Sequence, residues 1–236
     1  TPALTADIGL DLQRNTHEGR SGMGMSYLNQ PWVRDAKFAN LGLFSELRWQ
    51  AAPSTLWVGG LRLDRAQAWD YRNPASTHKR DESALPSGFV RYEHDLADSP
   101  TTVYAGLGHA QRFPDYWELF SPSSGPAGSV NAFDAIKPEK TTQLDAGTIY
   151  AAGPLRASAS VFYAKHNDFI QIRQINLFAT DALNVDATTY GAEADISYAL
   201  GRFWKTYGTL AWTHGENDST GKPLSQIAPL DARLGG

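Results

Sequence analysis

Turn lengths in this chain fall into two alternating classes. Short turns at 50–54, 95–100, 151–154 and 199–204 alternate with long polar loops at 14–37, 66–86, 111–139, 166–183 and 215–228. Between them lie runs of about ten residues in which every second position is apolar, the period of a β-strand. Consecutive strands joined in this way run antiparallel, so the short turns gather on one rim and the long loops on the other. That is the layout of a β-barrel spanning an outer membrane.

A barrel wall shows one set of side chains to lipid and the other to its lumen, so the sorting can be followed residue by residue. Leu4, Ala6, Ile8, Leu10 and Leu12 share one face of the first strand, with Asp7, Asp11 and Gln13 on the other. Leu41, Leu43, Leu47 and Trp49, then Trp57, Leu61 and Leu63, oppose Glu46, Arg48, Arg62 and Asp64. Downstream, Val90 and Tyr92 oppose Arg91 and Glu93, while Leu144, Ala146 and Tyr150 oppose Gln143 and Asp145. Leu155, Ala157, Ala159, Val161 and Tyr163 oppose Arg156, Ser158 and Ser160, and Tyr190 to Tyr198 repeat the pattern against Glu193 and Asp195. Mid-strand charges therefore fall on the lumen parity, as they must when a lipid-facing Arg or Lys at the midplane costs about 2–4 kcal/mol.

Aromatic residues supply a second test. Trp49, Trp57, Tyr92, Tyr150 and Tyr198 all carry the lipid parity within a few residues of a short turn, where amphipathic rings would band the headgroup level. A soluble antiparallel protein, such as a propeller or an up-and-down barrel, also alternates. Its outward face would be the polar one, and its loops would not sort by length.

Bulk composition carries little of this signal. The 236 residues are 42% hydrophobic, and no stretch approaches the roughly 18 consecutive apolar residues of a transmembrane helix. A net charge of −4 gives no basic field for nucleic acid. The absence of cysteine excludes disulfides and thiolate metal sites within these residues. No basic leader with an apolar core opens the sequence, and the run Leu230 to Leu234 has only begun to alternate when the sequence stops. Residues 1–236 thus read as an excerpt: an all-β, antiparallel transmembrane barrel segment of nine strands and the start of a tenth, with both barrel ends absent.

Several strings resemble the barrel of TonB-dependent outer-membrane receptors, and within them the copper-receptor branch. One runs from Tyr104 through Arg112-Phe113-Pro114-Asp115-Tyr116-Trp117-Glu118-Leu119, a strand rising into a loop. The others are Lys137-Pro138-Glu139-Lys140, Asn167-Asp168-Phe169-Ile170, and Pro223 to Leu230. Without the family, Pro114, Pro138 and Pro229 belong where loop meets strand, since proline donates no ladder hydrogen bond. Gly106, Gly108 and Gly191 sit on lumen parity, where a missing side chain either lets a plug or ligand approach or simply curves the strand. The resemblance implies a barrel of about 22 strands filled by an N-terminal plug. It also implies an address in the bacterial outer membrane and energy from the TonB complex of the inner membrane.

Cargo is less constrained. Cu(I) prefers thioether and thiolate ligands, with imidazole as a partner. The copper-receptor resemblance implies a Cys and a Met from the plug joined by a His-x-Met pair from the barrel. Here the two methionines, Met23 and Met25, lie in Gly22-Met23-Gly24-Met25, so a Met stands at the family's His position; His17 precedes them in the first long loop. In an extended segment both sulfurs point the same way and can converge on one ion; equally, two flexible apolar side chains can pack a loop against the plug. His78, His94, His109, His166 and His214 fall near strand ends or in loops and form no metal spacing. Enzyme motifs are absent. Glu93-His94-Asp95 reads as a solvated cluster at a short turn, and Glu216-Asn217-Asp218-Ser219-Thr220-Gly221 as a polar loop lacking the distal Glu of a calcium site. The expectation is an active transport receptor for copper that needs no cofactor, with a siderophore receptor or a passive porin or adhesive barrel as alternatives. Its partners would be the TonB complex, outer-membrane lipids and a metal or metal chelate, and no nucleic acid.

Overall fold

The computed structural model describes residues 3–20, 28–72, 79–120, 133, 135–176, 179–225 and 227–236. Nine long strands form one antiparallel sheet in chain order: β1 (Leu4–Gly19), β2 (Val33–Ala52), β3 (Thr55–Asp70), β4 (Lys79–Asp95), β5 (Thr101–Arg112), β6 (Glu139–Ala152), β7 (Leu155–Asn176), β8 (Ala179–Leu200) and β9 (Trp204–Asn217). A two-residue β10 (Lys222–Pro223) and β11 (Asp231–Gly235) both pair with β9, and β11 is the expected tenth strand. One short helix, α1 (Tyr116–Leu119), interrupts the β structure.

The short turns stand where the sequence places them. Gly153 and Gly201 carry left-handed φ of 51° and 79°, which a Cβ would resist. The other rim differs from expectation. The segment 166–183, read as a long loop, is almost all hairpin, since β7 runs to Asn176 and β8 resumes at Ala179. Likewise β1 continues to Gly19 and β2 begins at Val33, so His17 lies on a strand. In these extensions cross-strand pairs, such as Arg173 to Asp181 at 2.8 Å, share the sheet with Ile170 and Ala182, which the β5–β6 connection helps to bury. The Asn, Asp, Thr and Arg residues interspersed among the apolar ones blur the period of two, so the stretch reads as a loop in the sequence.

Register carries the two faces across the whole sheet unbroken. One rung reads Ala6, Leu47, Gly59, Val90, Leu107, Leu144, Tyr163, Tyr190, His214, and its neighbour reads Asp7, Glu46, Gly60, Phe89, Gly108, Gln143, Ala164, Thr189, Gly215. The rungs are oblique. Gly59 lies near the start of β3 at Thr55, whereas His214 lies near the far end of β9. Pairing thus climbs about one residue per strand. A rise of 3.3 Å against 4.8 Å of lateral spacing is a tilt of about 35°, the stagger a sheet needs to close into a barrel.

The apolar face matches the lipid parity, and its large side chains are uncovered: Ile8, Leu10, Leu12 and Leu61 are each more than 70% exposed. Trp49, Trp57 and Tyr92 share one rung beside the short turns, with the Trp57 and Tyr92 rings 4.9 Å apart. On the polar face, aromatic rings lie across glycines of the adjacent strand, Phe44 over Gly9, Phe89 over Gly60 and Phe162 over Gly191. The room beside Gly191 is therefore filled by the Trp212 carbonyl and the wall's own Phe162, and that beside Gly106 by the Asp145 carboxylate; of the three glycines singled out in the sequence, Gly108 alone would take a Cβ at ordinary contact, 3.8 Å from Phe89 Cβ. Rings lying flat over glycine keep the polar face shallow while still covering backbone.

Between His166 and Phe169 the β7–β8 register slips, leaving Asn167, Asp168 and Asp186 without partners in the ladder. Asp168 has φ 56° there. The bulge inverts the alternation of β8. Above it Ala182 and Asn184, which share the apolar parity of the strand below, turn to the opposite side and meet the connection between β5 and β6.

Candidate functional site

The buried core of the described residues lies at the long-loop end of the polar face. There the β5–β6 connection folds over the sheet, burying Leu119, Phe120, Phe133 and Ile136 against Ala36 and Ala68 on one side and Ile170 and Ala182 on the other. A four-residue helix has no stability of its own. Asp115 caps α1, accepting from the Glu118 amide at 2.9 Å, while Glu118 Oε2 accepts from the Asp115 amide at 2.8 Å. The sequence signal is Asp-x-x-Glu directly after Arg-Phe-Pro.

Two polar anchors fix this loop to the strands. In the first, Arg112 donates to both oxygens of buried Glu118 at 2.9 Å and to Glu139 at 3.0 Å. Burial works against the guanidinium charge, but the two carboxylates outweigh it and hold the Arg112 pKa above the ordinary arginine value. In the second, the Tyr116 hydroxyl donates to Asp35 Oδ2 at 2.5 Å. Burial, reinforced by the Asp35 carboxylate, pushes the phenol pKa well above its usual value, so Tyr116 stays a proton donor. The Asn184 side chain accepts from the Lys137 amide and donates to the Lys137 carbonyl, clasping the far end of the loop. Two strings seen separately in the sequence prove to be one cross-strand unit: Lys140 pairs in register with Asn167 and donates to Asp168 at 3.0 Å.

His17 belongs to the second anchor. Its Nδ1 lies 3.1 Å from Asp35 Oδ1, and its ring stacks on Tyr116 with centroids 3.5 Å apart. A carboxylate can only accept, so Nδ1 donates to it, and in a neutral ring the lone pair then lies on Nε2, the tautomer in which a carboxylate orients a metal-binding imidazole. Met23 and Met25 lie outside the described residues. Among the described residues no group of three or more His, Cys, Asp or Glu side chains is placed to hold a metal.

Under the loop is a cavity of about 540 Å³ lined by His17, Asn40, Arg62, Asp64, Arg112 and Tyr116. Asp64 on its floor accepts from Arg62 and from Asn40 Nδ2, leaving Asn40 Oδ1 buried without a partner. A second cavity of about 510 Å³, lined by Phe44, Glu46, Phe89 and Asp145, shares Arg62 with the first. The polar face thus carries two recesses that adjoin at Arg62, one under the loop and one toward mid-wall.

Sequence reasoning missed Asp35, Tyr116 and Glu118 as anchors. It also placed His166 near a strand end or in a loop, whereas it lies well inside β7; His109 falls near the end of β5, as read. His166 bridges Thr141 and Thr189 at 2.9 Å each, which ties β6, β7 and β8 together.

The sequence matches the family model described as TonB dependent receptor-like, beta-barrel, over residues 3–236. Among solved structures, one titled Copper transporter OprC is 49% identical with a TM-score of 0.88, covering 99% of this chain and 38% of that one. The ferric yersiniabactin uptake receptor FyuA from Yersinia pestis is 18% identical with a TM-score of 0.68, covering 98% of this chain and 36% of that one. The ferripyoverdine receptor of the outer membrane of Pseudomonas aeruginosa is 18% identical with a TM-score of 0.67, covering 97% of this chain and 32% of that one. The two ferric receptors share the fold, and this chain spans well under half the length of each of these structures. A sheet staggered for closure, apolar on one face and polar on the other, with a loop folded over the polar face, is here a stretch of receptor wall, and the chain belongs to the TonB-dependent receptor family.

Proposed function

We propose that this chain is part of the wall of a bacterial outer-membrane receptor that imports copper, captured as Cu(I), with energy from the TonB complex. The observation that carries the cargo is the 49% identity, over 99% of this chain, to a structure titled as a copper transporter; the ferric receptors, at 18%, carry the fold alone. The oriented imidazole of His17 adds one donor at the mouth of the recess, and Met23 and Met25 follow it closely in sequence with the soft sulfurs Cu(I) prefers. Copper is cargo in this reading, and no cofactor takes part. The receptor does no covalent chemistry, so its residues bind, release and gate.

The test uses the full-length receptor, purified from copper-supplemented cells and assayed for bound metal by elemental analysis. Met23→Leu with Met25→Leu keeps volume and removes both thioethers, and His17→Ala removes the imidazole. Copper should fall in each while the barrel still folds. Undiminished copper in the Met double variant would remove that pair from the site, and undiminished copper in His17→Ala would remove His17. A parent receptor that binds an iron chelate and no copper would return the cargo to siderophores.

A further inference from the structure

Followed upward along the apolar face, strands β1 to β4 change character within three rungs. Leu10, Leu43, Leu63 and Pro86 form one wholly apolar rung. The next, Leu12, Leu41, Arg65 and Ala84, brings in the first cation. Above it come Arg14, Ala39, Gln67 and Glu82, and then Thr16, Lys37, Trp69 and Arg80. Four cations thus stand against one carboxylate on these rungs, and Glu82 is shared between Arg65 and Arg80. Trp69 sits between cations from the strands on either side, with Lys37 Nζ 4.2 Å and Arg80 Cζ 5.5 Å from its ring centre. One rung higher, Glu18 and Arg34 cancel in formal charge. Elsewhere near this rim the lysines are matched singly, Lys140 by Asp168 at 3.0 Å and Lys165 by Asp218 at 2.9 Å. The excess positive charge is therefore local to β1–β4.

Its height is fixed by the strands. Arg65 stands ten residues in from the start of β3 at Thr55, and Arg80 fifteen from the end of β4 at Asp95. At 3.3 Å per residue and a tilt of about 35–40°, the patch spans roughly 25 to 40 Å from the short-turn rim, beginning where an apolar band about 25 Å tall ends. Cations at that level, with a tryptophan among them and leucines directly below, complement a molecule that is anionic at one end and hydrocarbon at the other. A guanidinium fork suits phosphate oxygens, and three excess charges on adjacent rungs suit a headgroup carrying more than one negative charge.

We propose that the outer surface of β1–β4 is a binding site for a lipid whose headgroup carries phosphate monoesters. Arg14, Lys37, Arg65 and Arg80 hold the headgroup, and the acyl chains lie on the leucines beneath. The proposal rests on the membrane reading above, with the long-loop rim toward the outer leaflet.

The test titrates the detergent-solubilised full-length receptor with lipid A, a glycolipid bearing two phosphate monoesters, and follows binding by native mass spectrometry. The same lipid stripped of phosphate by phosphatase, and inorganic phosphate, are the comparison arms. Lipid A should bind the parent at least tenfold more tightly than either. Lys37→Gln with Arg80→Gln, and separately Arg14→Gln with Arg65→Gln, should each weaken it by roughly 10–30-fold, at about 1 kcal/mol per cation, while Lys140→Gln with Lys165→Gln should not. Heat-modifiable electrophoretic mobility shows that each variant is folded. Equal binding of lipid A and its dephosphorylated form, or equal loss in the control variant, overturns the site. Inorganic phosphate binding as tightly as lipid A overturns a lipid as its occupant. A folded receptor that fails these tests leaves the barrel reading standing, whereas one that never enters a bilayer overturns both.

Discussion

Glu118→Gln is the sharpest perturbation of the inward-folded loop. The Glu118 carboxylate accepts two hydrogen bonds from Arg112 and one from the Asp115 amide, all at 2.8–2.9 Å. A carboxamide of the same shape keeps one acceptor oxygen and aims an NH2 at a donor where the other stood. A hydrogen bond to a charged group contributes about 1.5–3 kcal/mol. The Arg112 side chain is 45% exposed, so solvent offsets part of that loss, and about 2 kcal/mol is expected for loop docking. At about 1.4 kcal/mol per decade this is roughly a 30-fold rise in the open population. Two amides report it: Leu119, bonded to the Asp115 carbonyl at 3.1 Å, and Phe120, bonded to the Tyr116 carbonyl at 2.8 Å. Hydrogen exchange of the purified full-length receptor should therefore accelerate by about 30-fold in the peptide covering these residues. Strand amides of β6 and β7 should keep their protection. Unchanged exchange at Leu119 and Phe120 in a folded variant would mean that apolar burial of Leu119 and Phe120 holds the loop without the carboxylate.

Arg at Leu61, Val161 or Ile196 should impair assembly into the outer membrane by about 2–4 kcal/mol each, read as loss of heat-modifiable protein, while Ser160→Arg on the polar face, opposite Glu193, should assemble; equal tolerance on both faces would contradict the membrane assignment. Gly191→Val should drive a side chain into the Trp212 carbonyl and the Phe162 ring and destabilise the pairing of β8 with its neighbours, measurable as a lower unfolding temperature. Burial holds the pKa of His166 below the ordinary histidine value, although Glu139 and Asp218 oppose the shift. The unfolded chain therefore takes up its proton first as pH falls, so the contribution of neutral His166 is complete above about pH 6.5 and is lost as pH drops toward the folded value. An NMR titration of His166 giving a pKa at or above that of a free histidine would refute this.

The sheet was legible because its information is local and repeated. Parity along each strand is set by neighbours two residues away, and one consistent rung order follows once the short turns fix the hairpins. The strand extensions were not legible for the same reason. Around Arg173 and Asp181 charged and amide side chains are interspersed with Ile170 and Ala182, which are covered by the distant β5–β6 connection, a partner the local sequence does not reveal. The bulge at Asp168 was hidden too, because its consequence, the inversion of β8, appears only when Ala182 and Asn184 meet a segment more than forty residues earlier in the chain.

The recess shows the limit more sharply. His17 was picked out for its chemistry, and its partner for its position could not have been, since Asp35 joins it only through the β1–β2 pairing and Tyr116 arrives from 81 residues beyond Asp35. Yet the sequence did hold half of the constraint. A capping box and two large apolar residues, Leu119 and Phe120, in a loop that leaves a strand on the polar parity cannot rest in water at the rim, because exposing both forfeits several kcal/mol of burial. Such a loop must turn inward over the polar face, and once it does its tyrosine reaches the Asp35 carboxylate on β2 of the same sheet. His17 then reads as a residue held by the loop's own anchor. Asp35 meets the loop through Tyr116 at one oxygen and the imidazole of His17 at the other, so loop docking and the orientation of His17 converge on one carboxylate.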